Sequence, residues 1–329
     1  MTARPLLASV HSGGQTGVDV AALRAAKNLG LATAGTMPLG FRTHDGPRPD
    51  YAALYGCTEH ASPEWAPRTR ANVDASDATL RLAVDMDSPG ERCTANACKA
   101  AGKLLVSVHM DLDWNGALVP VAAEVDEAIA RLRLLAVKQG RPLVLNVAGN
   151  SERTAPGIEA SAEKVLRAIL PAIAAPLRVY TARVDYDGPD RLDITHSGLC
   201  KARDAGQPFP GAPWVPPWAI LEPALEARKQ AAAARKAGRA EEARLVEDAA
   251  WEAYEPLYVA AMRESYKVNR GAWDALLARS VVTAVCYCAP AHGESLRCHR
   301  RLLAGILVKL GAEDMGERPR SDRKRQGYG

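Results

Sequence analysis

The 329-residue chain has only two phenylalanines, so its interior must be assembled mainly from alanine, valine and leucine. It has no uninterrupted run of 18 apolar residues, which excludes a membrane-spanning helix. It has no strong charge of either sign: 42 Lys plus Arg stand against 38 Asp plus Glu, a formal +4. Residues 1–175 carry 18 basic and 18 acidic side chains, residues 176–316 carry 19 and 18, and residues 317–329 carry 5 and 2. The pI of 8.7 therefore describes a tail and gives the body no basic face for nucleic acid. The opening MTARPLLASVHSGG lacks an apolar signal core followed by a small-residue cleavage site. With seven cysteines, this points to a cytoplasmic protein with reduced thiols rather than a disulfide framework. At 47% apolar and 24% charged residues, the composition is that of a globular chain and not a disordered one.

What is present is an alternation of strand and helix patterns. Apolar runs at Leu6–Val10, Ala78–Val84, Lys103–Val108 and Pro142–Val147 predict strands. Spacings of three and four predict helices at Val18–Asn28, Pro67–Ala75, Arg92–Ala101, Val121–Gln139 and Gly157–Leu170. The fold class expected is α/β: a Rossmann-like parallel sheet with helices on both faces, then a second, smaller α/β domain with a projecting helical hairpin. The domains fall at 1–172, a linker at 173–176 within the proline-bracketed Pro171–Pro176, 177–316, and a flexible basic tail at 317–329. In the second domain, strands are expected at Leu177–Val184 and Val281–Tyr287, and a final helix at Cys298–Leu310. Pro223 should open a long helix reaching Ser265, split near Gly238. Its stretch Lys229–Glu247, rich in Ala, Arg, Lys and Glu, reads as a solvated face and not a binding helix.

Ser12-Gly13-Gly14-Gln15-Thr16-Gly17 lies where the first strand meets the first helix. Glycines there let a ligand approach the backbone, and the helix N-terminus favours an anion; a tight structural turn is the competing reading. His44-Asp45-Gly46-Pro47, Arg68-Thr69-Arg70-Ala71-Asn72, Ser76-Asp77 and Asn146-Val147-Ala148-Gly149 stand near strand ends, where open parallel sheets bind ligands. GGQTGVD, Pro38-x-Gly40, Asp45-Gly46-Pro47, RT-x-x-NV-x-x-SDAT and LNVAG occur in order over residues 6–170. In this, the first half resembles the molybdenum-cofactor-carrier family of the SLOG superfamily of Rossmann-like domains, which includes the LOG proteins. The resemblance implies a nucleotide or pterin-type ligand at Gly13, Gly14, Gln15, Thr16 and Gly17, with Asp45, Arg68, Thr69, Asn72 and Asp77 nearby. The family's second glycine-threonine loop is replaced by DSPGERCT, where only Gly90 and Thr94 could substitute.

The densest chemistry is Cys286-Tyr287-Cys288, then Arg297-Cys298-His299-Arg300, joining a strand end to a helix start. A cysteine at a helix N-terminus beside arginines should have a lowered thiol pKa and could act as a nucleophile. The arginines could instead hold a phosphate. Cys286, Cys288, Cys298 and His299 could also supply metal ligands, although C-x-C is not the usual C-x2-C knuckle. The segment YTAR, LDIT-x-SG, SY-x-x-NR-x-x-WD, CYC and CHR over residues 178–311 resembles the domain-of-unknown-function family 488. By that resemblance the candidate catalytic set is Arg183, Asp193, Cys298, His299 and Arg300. Three readings follow. The chain binds a nucleotide-like ligand and processes it, or a linked substrate, at the Cys-His-Arg site as a hydrolase or transferase. Alternatively, it is a non-catalytic carrier of a molybdenum cofactor or a nucleotide-sequestering protein, or it associates with nucleic acid through its tail. The partner expected is a small nucleotide-like molecule, without membrane, and a homo-oligomer.

Overall fold

A computed structural model describes residues 4–288 and 297–318. The chain divides into two compact units, one of Pro5–Ala175 and one from Pro176 onward that also takes in Arg4. The first unit is built from β1 (Leu7–His11), α1 (Val18–Asn28), β2 (Ala32–Met37), β3 (Arg42–Thr43), β4 (Gly46–Pro47), α2 (Asp50–Tyr55), β5 (Cys57–Glu59), α3 (Trp65–Asp74) and β6 (Ala78–Ala83). It continues with α4 (Pro89–Ala101), β7 (Leu104–Leu112), β8 (Leu118–Pro120), α5 (Ala122–Gln139), β9 (Leu143–Gly149) and α6 (Ile158–Ala174). Seven strands form one sheet in the order β5-β2-β1-β9-β6-β7-β8, parallel except for β8 against β7. This is the expected Rossmann-like α/β sheet.

Alternation along the strands assigns the two faces. Leu80 and Leu82 of β6 and Leu143, Leu145 and Val147 of β9 pack with α1, α5 and α6 in the main core. The intervening Thr79 faces the other way, toward α4, and meets Cys98 at 3.3 Å. There Val73 of α3 packs with Ala97 and Cys98. Alanines of α1 (Ala21, Ala22, Ala25, Ala26) are fully buried, which is how a chain so poor in phenylalanine brings a helix close to its sheet.

The second unit contains β10 (Arg178–Arg183), β11 (Arg191–Asp193), α7 (His196–Asp204), α8 (Trp218–Lys236), α9 (Ala240–Val268), α10 (Arg270–Leu277), β12 (Val281–Cys286), α11 (His299–Lys309) and β13 (Glu313–Glu317). Its four parallel strands run β11-β12-β10-β13. Helices α8 and α9 form a hairpin whose inner face is buried through Ala231, Ala234 and Ala243.

Three boundaries differ from expectation. Pro171 does not open a linker: it lies inside α6, which runs to Ala174. Pro223 likewise lies inside α8, which starts at Trp218. Glu317 is not tail but the last residue of β13, paired with Thr181 of β10, and Arg318 bonds Asp190 at 2.8 Å. Residues 319–329 lie outside the described residues. No helix among the described residues is long and apolar enough to cross a membrane.

The end of α6 rests on Arg133 of α5, which is 1% exposed. Its guanidinium donates to the carbonyls of Ala172 at 2.7 Å and Ala175 at 2.6 Å. Those acceptors have no helical partner of their own. Arg133→Met should destabilise the protein by about 1–3 kcal/mol, read as a lower urea midpoint. An unchanged midpoint would show that these carbonyls are served in another way.

Candidate functional site

Parallel strands deliver their carboxyl ends to one edge of the sheet, and in the first unit that edge collects a buried polar cluster. Ser12, Gly13, Gly14, Gln15 and Gly17 are all buried. A Cβ at Gly13 would lie 1.6 Å from Arg68 Nη1, so any other residue there would displace the Arg68 guanidinium. The Arg68 guanidinium is laid across the loop and pairs with Asp19 at 3.1 Å, both largely buried. Arg68 Nε is buried without a hydrogen-bond partner. Trp65 adds a ring 5.8 Å from the Arg68 guanidinium and 5.6 Å from His44. His44 in turn donates its backbone N–H to Gln15 Oε1 at 2.8 Å.

Three of the loop amides are engaged within the protein. Gln15 N–H donates to Asp19 at 3.4 Å, Thr16 N–H to Gln15 Oε1 at 2.9 Å, and Gly17 N–H to Glu159 Oε2 at 3.1 Å. Gly17 needs its positive φ of 89° to aim that N–H. An anionic oxygen from α6 thus sits at the start of α1, where the helix dipole favours negative charge. Asn150, just past β9, accepts from Val84 and Asp85 N–H at 2.9 Å each and donates to Glu91 at 3.4 Å. Glu91 is 2% exposed, and its Oε2 is without a hydrogen-bond partner. Burial lifts its carboxyl to about 7, against the opposing pull of Arg81.

The structure brings Gly13–Gly17, Arg68 and the hairpin carrying Asp45 together at this edge. It separates others. Asp77 precedes β6 and so lies at the opposite, amino edge, clamped by Arg141 at 2.6 Å and Val144 N–H at 2.8 Å. Asn72 bonds both backbone groups of Thr36, and Thr69 Oγ1 bonds Trp65 O, so both brace α3. Gly90 and Thr94 form no second loop: α4 begins at Pro89, and Thr94 Oγ1 returns to Gly90 O. Asp19 and Glu91 lie inside GGQTGVD and DSPGERCT without being named as site residues, and Trp65 and Asn150 lie outside the motifs. The signal for Glu91 was its place one turn after Ser88, the N-cap of α4.

In the second unit, a cavity of about 700 Å³ is lined by α8, α9 and the start of α11. Its walls include Arg228, Arg235, Arg244, Arg297, Glu247, Asp248, Trp251 and Tyr254, and Cys288, Cys298 and His299 open onto it. The hairpin expected to be a solvated face therefore supplies a cavity wall. Four arginines stand against two acids. Arg235 pairs with Glu247 at 2.5 Å and Arg297 with Asp248, while Arg228 Nη2 points at Cys288 Sγ at 3.3 Å.

Cys286, Cys288 and Cys298 bring their sulfurs within 4.8 Å of one another. Cys298 N-caps α11, yet its thiol is pushed up, by burial first and then by its two neighbours. Cys286 is pushed up to about 11. The lowered thiol is Cys288, stabilised by bonds from its neighbouring thiols and by Arg228. The expectation for Cys298 fails because burial, and then the two neighbouring sulfurs, outweigh the helix terminus. His299, the first residue of α11, is outside the sulfur cluster. Its Nε2 is buried without a hydrogen-bond partner, and burial lowers it to about 4. Arg300 is fully buried and donates to the Cys288 carbonyl at 2.8 Å, to Cys286 Sγ at 3.2 Å and to Glu317 at 2.8 Å. Arg183 pairs with Asp185, and Asp193 with Arg191, so neither side chain lines the cavity.

Residues 10–170 match the circularly permutated YpsA SLOG family, and the first half of the chain resembles the SLOG superfamily accordingly. No curated protein matches the chain. The crystal structure of a proposed molybdenum carrier protein from Syntrophus aciditrophicus SB is 27% identical, with 51% of this chain and 97% of that chain covered and a TM-score of 0.42.

Glu91 gives a pH signature. It holds its proton in the folded state up to about 7, whereas an unfolded glutamate loses it near 4.5. The folded state thus binds more protons between those values, so stability falls as pH rises through that window and levels off above it. Arg81, Asp19, Arg68 and Asn150 face the carboxyl and set the position of the window. Glu91→Gln should flatten this slope in denaturation series. A parallel slope in the variant would assign it to another group.

Proposed function

We propose that the first unit binds a nucleotide or nucleotide-like phosphate ligand, of which a pterin cofactor is one form, at the Gly13–Gly17 edge. The observation that carries this reading is the buried Arg68 laid over the loop, with an unpartnered Nε, beside Trp65. A guanidinium suits a phosphate and an indole face suits a planar ring. The Glu159 carboxylate on Gly17 N–H marks where a phosphate oxygen would sit and competes with it. Arg24 holds Glu159 there at 2.9 Å, so ligand entry exchanges one anion for another. The match of residues 10–170 to a SLOG family supports the same placement.

The second unit, similar to the domain-of-unknown-function family 488, acts in this reading on that ligand or on a linked anionic substrate. Its cavity offers surplus arginine and the rings of Trp251 and Tyr254. Arg300 is a positioning residue that holds the Cys286–Cys288 segment, and Arg183 and Asp193 brace the strand ends. All seven cysteines are free, as a thiol-reducing cytoplasmic setting would keep them.

The test is binding by the full chain to nucleoside mono-, di- and triphosphates and a pterin phosphate. A ligand at 100 times its Kd should add about 2.7 kcal/mol and raise Tm by several degrees. Glu159→Ala should tighten binding several-fold and Gly13→Val should abolish it, with circular dichroism confirming the fold. No shift with any of these ligands, or tight binding retained in Gly13→Val, overturns the proposal. Mass spectrometry of ligand released from purified protein separates the outcomes: a slowly exchanging pterin identifies a carrier, a nucleotide a nucleotide-binding protein.

A further inference from the structure

The cysteine cluster has features that packing alone does not require. Three sulfurs from two separate elements converge: Cys286 ends β12, Cys288 follows it, and Cys298 caps α11. Cys286 and Cys298 are 1% and 2% exposed and lie 2.8 Å apart. Three donors around them reach sulfur. Arg300 Nη1 reaches Cys286 Sγ at 3.2 Å, Arg228 Nη2 reaches Cys288 Sγ at 3.3 Å, and Cys288 N–H reaches Cys286 Sγ at 3.4 Å. A protonated thiol is a weak acceptor for either guanidinium, and Arg300 has the Cys288 carbonyl and Glu317 besides, while Arg228 has solvent. Thiolates would bond both far better, but three thiolates packed together repel one another unless a cation sits among them.

We propose that Cys286, Cys288 and Cys298 form a three-thiolate site for a thiophilic divalent cation of the zinc type, with a fourth coordination position turned to the cavity. Residue type, spacing and surroundings agree. Soft sulfur donors select such metals, and tetrahedral zinc–thiolate bonds of about 2.3 Å place sulfurs about 3.8 Å apart. The sulfurs lie within 4.8 Å of one another, so occupation requires the Cys286–Cys298 pair to part by only about 1 Å. Three thiolates around a dication leave one net negative charge, and Arg228 stands against it. Arg300 is shared between Cys286 and Glu317, and serves as the second layer that fixes ligand orientation. Three protein ligands with one open position is the arrangement of reactive rather than purely structural zinc.

The open position has a defined outlook. Cys288 and Cys298 line the arginine-rich cavity, so a fourth ligand arriving there would be an anionic oxygen or sulfur of a substrate, or water. This inference deepens the reading of the second unit and does not depend on what the first unit binds.

The experiment is metal binding by the full chain, stripped with chelator under reducing conditions and dialysed against zinc ion alone. About one zinc per chain is expected by elemental analysis. Cobalt substitution should give a thiolate-to-metal charge-transfer band in the near ultraviolet and the intense visible bands of a tetrahedral site. Added imidazole should shift those visible bands, as an open position requires. Cys288→Ser should reduce zinc affinity at least tenfold, whereas Cys93→Ser with Cys200→Ser should leave it unchanged. The cobalt spectrum of the unmutated chain carries the test even if Cys288→Ser misfolds. Substoichiometric zinc, cobalt bound without the charge-transfer band, or full affinity in folded Cys288→Ser overturns the metal site. Visible bands indifferent to imidazole overturn the open position. Failure of the nucleotide test at Gly13–Gly17 would leave all of these readouts as they are.

Discussion

A guanidinium without exposed surface must find its hydrogen-bond acceptors inside the protein, and Arg300, although its Nε is left without one, fastens three segments at once through its two terminal nitrogens. It reaches the end of β12 through Cys286, the following segment through the Cys288 carbonyl, and the edge strand β13 through Glu317. The position of the cysteine cluster is a consequence. That charge supplements the Arg228 contact to Cys288 and the backbone pairing of the acidic strand Glu313–Glu317 with β10. The neighbouring Arg318 repeats the arrangement on a smaller scale, bonding Asp190 and lying 3.9 Å from the Tyr180 ring centre.

The first unit meets the same constraint with the signs balanced differently. Burial raises the carboxyls of both Asp19 and Glu91 above the ordinary range, and in each an arginine pulls the other way. That arginine is Arg68 at 3.1 Å for Asp19 and Arg81 at 3.8 Å for Glu91. The edge is held by Asn150, whose amide bonds both sides of the β6–α4 connection.

Much of this was legible in the sequence, for identifiable reasons. The span Val18–Asn28 was fixed by its alanine and leucine spacing and by Gly30, and the large-residue strands β6, β7 and β9 announced themselves. Strands β2, with ATAGTM, and β13, with EDMGE, did not, because backbone pairing and not apolar side chains holds them. Proline misled twice: Pro171 and Pro223 are read locally as breakers, but neighbouring turns carry each helix through. Asp77 was placed at the wrong edge because a polar residue beside a strand does not reveal which end of the strand it marks. The cysteine cluster was visible as a composition, but the thiol that ionises was not. The helix-terminus rule favoured Cys298, and only the packing shows Arg228 at Cys288.

The pairing of β1 with β9 has a bearing on how the chain comes to be folded. Ser12 donates to Val147 across 135 residues, and β1 otherwise has only β2 as a neighbour. At ribosomal rates that partner emerges roughly 7–27 s after β1. Throughout that time one long side of an apolar strand carries unpaired amides and carbonyls. An interior strand of the finished sheet is therefore an edge strand until its second neighbour is made. Dependence on chaperones during translation would originate there, at the residues that lie deepest once the protein is complete.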